Sequence, residues 1–211
     1  MSQTFDPASV SYVSTIDEVR ARHPVPMSRA ADKVIGHLDK HCRAIIEKAT
    51  FCLIATHGSR GADVSPRGDP AGFVRVLDDK HLLLPDRVGN NRFDSMENIF
   101  ETGLVGLLFL VPGMAEVLRV NGRGRITDDA ALLAASEVQG RPPKIGILVE
   151  VREAYLHCAK AVNRAGLWDA SRHIDRSILP TYGEMLVDHV AGLTHEESER
   201  QGAEMARRGM Y

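Results

Sequence analysis

The segment Pro85-Asp-Arg-Val-Gly-Asn-Asn-Arg92 gathers the residue types that hold a phosphate group. Arg87 and Arg92 supply planar, permanently charged donors suited to a phosphoester. Asn90 and Asn91 are good helix caps, and Gly89 lets the backbone approach a ligand closely. A helix that starts here would point unpaired N–H groups and the positive end of its dipole at an anion. The same residues also suit a capped helix with solvated arginines.

A second stretch, Ser65-Pro-Arg-Gly-Asp-Pro70 followed by Gly72-Phe-Val-Arg75, adds Arg67 and Arg75. Phe73, Val74 and Val76 offer apolar surface for a flat ring. Taken alone, this stretch also reads as an ordinary loop and an edge strand with exposed arginines. The combination is more informative, because four arginines fall between positions 67 and 92 in a chain whose net charge is −2.

These segments need elements to place them. Thr15-Ile-Asp-Glu18 has the capping-box pattern, so a short helix is expected over 16–22, ending before Pro24. Val34, Leu38, Cys42, Ile45 and Ile46 recur at helical spacing and predict a helix over 29–48, broken near Gly36. The period then changes. Strands are expected over 51–56, 62–65, 72–77, 81–85, 104–111, 116–126 and 145–156. Gly58-Ser-Arg-Gly61 is read as a hairpin turn, and 66–70 as a rigid loop. Helices are expected over 91–100, from a Thr127 or Asp128 cap to Ala135, over 159–168, and from Thr194 onward.

Strands spaced this closely leave no room for repeated βαβ units. The expected fold is mainly β with flanking helices, an antiparallel barrel or strongly bent sheet. Three segments are expected: an arm with a short helix (1–28), a β-barrel domain (29–165) and a C-terminal tail with a helix (166–211).

Composition narrows the function. Hydrophobic residues make up 44% of 211, enough for one substantial core. The slight negative charge argues against a polyanion partner, so no nucleic-acid role is expected. The longest apolar run, 104–111, is too short to span a bilayer, and the first residues lack a signal-peptide pattern. Cys42, Cys52 and Cys158 are widely spaced, which suits reduced thiols in a cytoplasm.

Other constellations are weaker. His37 and His41 stand one helical turn apart without the glutamate of a zinc hydrolase, so no metal site is expected. His157 and Cys158 are adjacent and their side chains diverge. Gly122-Arg-Gly124 follows a strand but is no dinucleotide fingerprint. Glu116, Glu150 and Glu153 receive no acid–base role, and the catalytic residues stay unassigned.

The run from Gly72-Phe-Val-Arg-Val through Leu83-Leu-Pro-Asp-Arg-Val-Gly-Asn-Asn-Arg92 to Met96-Glu-Asn98 and Val105-Gly-Leu-Leu-Phe109 resembles the pyridoxamine 5′-phosphate oxidase superfamily. With Ser-Pro-Arg-Gly-Asp before it and Leu-Arg-Val-Asn-Gly-Arg after it, the composite is similar to an FMN-dependent subgroup of that superfamily.

The resemblance implies an FMN-binding split β-barrel and a homodimer with FMN at its interface. Arg92, Asn91 and Asn90 would hold the FMN phosphate, aided by Arg87, with Arg67 approaching from the preceding loop. Val74, Arg75 and Val76 would lie along the flavin, and Arg119 and Asn121 would reach it from the other subunit. Lys160, Arg164 and Trp168 would form a ring over the flavin. The implied activity is FMN-dependent oxidoreduction of a small molecule, with hydride passing through flavin N5. The alternative is a flavin-, deazaflavin- or haem-binding protein without turnover. Pyridoxine-phosphate oxidases proper end in a tryptophan-rich segment, whereas this chain has only Trp168, and Ser171-Arg-His-Ile-Asp-Arg176 is only weakly similar to their C-terminal motif. Vitamin B6 oxidation is therefore not implied.

Overall fold

A computed structural model describes residues 5–25 and 27–209. The first four residues of the expected arm lie outside the described residues. Backbone contacts divide the chain into two compact units, Met1–Val34 and Ile35–Tyr211.

In the first unit, α1 covers Ile16–Arg20 and α2 covers Ser28–Asp32. Thr15 caps α1 by accepting the Glu18 N–H at 3.3 Å. The Glu18 carboxylate accepts from Ser14 N–H, one residue earlier than a reciprocal box requires.

The second unit is built on one seven-stranded antiparallel sheet: β1 Phe51–Gly58, β2 Gly61–Gly68, β3 Arg75–Val76, β4 His81–Pro85, β5 Leu104–Leu110, β6 Val117–Thr127 and β7 Gly146–His157. Their lateral order is β2-β1-β5-β6-β7-β4-β3. The interior is formed by alternate residues: Cys52 and Ile54 on β1, Val105, Leu107 and Phe109 on β5, Leu118 and Val120 on β6, and Ile147, Val149 and Val151 on β7. The fold is the expected one, a mainly β split barrel with flanking helices.

Helix α3, Lys40–Lys48, turns Cys42 and Ile46 into this core and is capped by Asp39, which accepts from His41 and Cys42 N–H. The break expected near Gly36 is present and wide: helix is found at Ser28–Asp32 and Lys40–Lys48, and between them Ile35 exchanges backbone hydrogen bonds with Ala154 of β7. Helix α4, Asp94–Thr102, is strapped to β1. Buried Asn98 donates to Thr56 Oγ1 at 3.1 Å, and Thr102 Oγ1 donates to the His57 carbonyl at 2.7 Å. Helix α5, Ala130–Ala134, is capped by Asp129 rather than Thr127 or Asp128. The Thr127 hydroxyl accepts from Asp129 N–H and so fixes the cap instead of being it. Helices α6 (Lys160–Ala165), α7 (Tyr182–His189) and α8 (His195–Arg208) follow.

Two strand boundaries also differ from expectation. β2 runs on through Pro66 and Arg67, residues expected in a loop. It is an edge strand, where a proline's missing N–H costs no ladder bond. The 72–77 strand shrinks to Arg75–Val76, because Gly72 sits at φ 81° and Phe73 N–H closes a turn onto the Pro70 carbonyl.

Candidate functional site

Between the end of β2, the end of β4 and the start of α4 lies a cleft of about 630 Å³. Its residues arrive by simple rules. Alternation along β2 turns Asp63, Ser65 and Arg67 to one side, half-buried, and leaves Val64 on the other face, exposed. The loop after β4 contributes Asp86, Arg87 and 89–92. Asn91 (φ 58°) and Phe93 (φ 57°) both take the left-handed conformation, which delays helix entry to Asp94. The expected asparagine cap is therefore absent: Phe93 occupies the cap position and makes no side-chain hydrogen bond there. Asn90 Oδ1 instead accepts the Arg92 N–H at 3.1 Å, closing the loop on itself.

The structure brings Arg67, Arg87, Asn90, Asn91 and Arg92 together around this cleft. Each guanidinium already has an internal partner. Arg87 Nε donates to Asp69 at 2.6 Å, with the Asp69 side chain only 1% exposed. Arg92 Nε donates to Asp94 at 2.8 Å on the surface, and this guanidinium holds the Asp94 carboxyl below the usual carboxylate range. Arg67 donates to the Pro66 carbonyl at 2.9 Å. The carboxylates are the part that sequence reasoning missed. Asp63 accepts from buried Ser95 Oγ at 2.6 Å, and burial pushes the half-buried Asp86 carboxyl up despite Arg67 and Arg87.

The other expected site residues lie elsewhere. Val74 is buried in the core, Val76 packs against it, and Arg75 donates to the Leu132 carbonyl at 3.1 Å. None of these three lines the cleft; Phe73 does. Arg119 and Asn121 sit on the outer face of β6 and line a different cavity. Arg119 Nε donates to Asn121 Oδ1 at 3.2 Å, and Asn121 donates to Glu153 at 3.0 Å. Trp168 lines neither cavity and donates its indole N–H to the Met114 carbonyl at 2.8 Å, whereas Lys160 and Arg164 line the second one. Burial pushes the thiols of Cys42 and Cys52 up to about 11 and about 12, so both are inert at neutral pH.

The cleft fits the phosphate end of FMN on its own geometry. The start of α4 has no side chain occupying its cap, and three guanidiniums border it. The Arg92–Asp94 pair is exposed and therefore weakly held, whereas the buried Arg87–Asp69 pair fixes the loop. Among the described residues no helix is long and apolar enough to cross a membrane.

Comparison with solved structures returns distant likenesses. HupZ from Group A Streptococcus aligns at 20% identity over 56% of this chain and 92% of its own, with a TM-score of 0.46. A Clostridium acetobutylicum protein of the pyridoxinephosphate oxidase family, related to general stress protein 26, aligns at 15% identity over 56% and 87%, with a TM-score of 0.41. An FMN-binding protein from Syntrophomonas wolfei aligns at 11% over 68% and 97%, with a TM-score of 0.42. No curated protein sequence matches significantly. Residues 38–158, more than half of the chain, match the family described as pyridoxamine 5′-phosphate oxidase. This span holds the whole sheet together with the cleft, and the chain belongs to that family.

Proposed function

We propose that this chain is a cytoplasmic FMN-dependent oxidoreductase acting on a small molecule. The observation that carries the reading is the convergence of Arg67, Arg87, Asn90, Asn91 and Arg92 on one cleft at the start of α4, in a chain of this family. Arg92 swings from Asp94 onto the phosphate, and the amides at the head of α4 add donors aimed at the same dianion. Arg87, locked by Asp69, keeps the loop in register. Phe73 supplies apolar surface at the cleft wall. Bound FMN supplies hydride transfer through its N5 atom.

The working unit proposed is a homodimer with FMN at the interface. Arg119 and Asn121 support it. They lie on the outer sheet face rather than in their own chain's cleft, and so serve a flavin only in trans. The test is titration of purified protein with FMN, followed by flavin fluorescence, together with sedimentation equilibrium. FMN binding with one flavin per chain, bleaching by NADH or NADPH, and reoxidation by an acceptor support the reading. Binding without bleaching by any reductant reduces it to flavin storage or sensing. Failure to bind FMN rejects it.

A further inference from the structure

Three carboxylates line the cleft at the head of α4, and two of them are engaged. Asp63 accepts from Ser95 Oγ at 2.6 Å and from Ser65 Oγ at 3.1 Å. Asp94 accepts from Arg92 Nε at 2.8 Å, and Arg60 approaches its other oxygen at 3.4 Å. The third, Asp86, is different. It is half-buried, yet among the described residues no hydrogen bond or ion pair reaches its carboxylate. Arg67 and Arg87 act on it only through their charge.

The sheet holds Asp86 in place. Leu82 and Leu84 of β4 point into the core, and the same alternation turns the Asp86 side chain inward at the strand's end. Its own N–H donates to the Ile145 carbonyl at 3.1 Å, which carries the β4–β7 pairing one residue past Pro85. The next residue, Arg87, is tied to buried Asp69. The backbone on both sides of Asp86 is therefore fixed. Burial without a hydrogen bond is costly, and it raises this carboxyl despite both arginines. Such a cost is expected where a side chain serves a ligand.

We propose that Asp86 is a specificity-determining residue of this site, accepting hydrogen bonds from the hydroxyls of the ribityl chain, an inference that rests on FMN as the cleft's ligand. Arg67, Arg87, Arg92 and the amides at the head of α4 are all donors, and a phosphate answers them with acceptors. Asp86 is the one lining carboxylate left without a donor. The two arginines beside it repel an ammonium, so the donor it fits is a neutral hydroxyl. A phosphorylated polyol chain meets both demands in one molecule.

The probes are FMN and a flavin whose phosphate is carried on a hydroxyl-free pentyl chain, each titrated against the full chain by flavin fluorescence. The parent is expected to bind FMN at least about tenfold more tightly than the hydroxyl-free flavin. Asp86→Ala is expected to lose that preference by weakening FMN, with affinity for the hydroxyl-free flavin unchanged or higher. Asp86→Asn keeps an acceptor oxygen, and its preference is expected to fall between the two. Equal affinities in the parent overturn the proposal and leave FMN as the ligand. A preference that survives in Asp86→Ala also overturns it, because Asp86 then acts on the phosphate charge alone. If the parent binds neither flavin, the FMN reading falls together with this one.

Discussion

The two cavities are built in opposite ways from neighbouring residues of the same strand. Asp63, Ser65 and Arg67 of β2 face the cleft, while the neighbouring Val64 faces the second cavity, a groove on the outer sheet face lined also by Arg119, Asn121, Lys160 and Arg164. The cleft is loop-built and charge-balanced. Its arginines are positioned by internal partners, one of them a buried carboxylate. That cavity has a floor set by strand register and a wall from helix α6, which carries Lys160 and Arg164; no carboxylate lines it. Ion pairs can thus hold a loop in shape for a ligand, at the cost of competition when the ligand arrives.

That contrast breaks most visibly at Asp69. Removing it leaves the half-buried Arg87 without its carboxylate, a change that typically costs about 3–5 kcal/mol. Asp69→Ala is expected to lower the melting temperature by roughly 10 °C. A groove cation has no such structural role, so Lys160→Ala is expected to stay within about 0.5 kcal/mol of the parent. Thermal melts of both variants, side by side, measure the difference. Comparable losses would remove the distinction between the two sites.

Next in size is Arg92→Ala. If Arg92 exchanges Asp94 for the FMN phosphate, its loss weakens FMN binding by at least about tenfold with little change in the melt. Fluorescence titration reads this directly, and an unchanged affinity takes Arg92 out of the site.

The sheet is largely legible in the sequence, and the charge balance of the site is not. The 81–85 strand coincides with β4, because its apolar run is bounded by turn residues on both sides. The hairpin at Ser59-Arg60 follows from the glycines flanking it, which pair with each other. The expected cap at Thr127 or Asp128 falls one or two residues early because three adjacent residues all have capping side chains, and only tertiary placement selects Asp129. Helix α7 is missing from the expected elements although Thr181-Tyr-Gly-Glu184 carries a complete capping box, a signal present in the sequence. The 85–92 segment correctly draws attention to a cleft. The pairing of Arg87 with Asp69 spans 18 residues, and no local pattern encodes it. The groove is harder still, since its floor comes from several strands and becomes one surface only once register is known.

The competition inside the cleft can be sharpened at Asp94. Asp94→Asn keeps the side-chain size and removes the charge that holds Arg92. FMN affinity is then expected to rise, by up to about fivefold, because an exposed ion pair offers only modest resistance. Weaker binding in this variant would mean that Asp94 orients Arg92 for the phosphate rather than competing with it.

The smallest effect is at Asp86. Burial raises its carboxyl against the pull of Arg67 and Arg87, so the folded protein binds this proton more tightly than the unfolded chain does. Ionised Asp86 therefore opposes folding, and the opposition is complete only above its raised folded-state value. It fades as pH falls toward the ordinary carboxylate value of about 4, and vanishes below that. Asp86→Asn removes the charge at every pH. Its expected gain in melting temperature is present at neutral pH, declines in mild acid and disappears in stronger acid. Melts of Asp86→Asn and the parent across this range measure the gain. A gain that grew as pH fell would have the wrong sign, and would mean that Arg67 and Arg87 govern this carboxyl more strongly than its burial does.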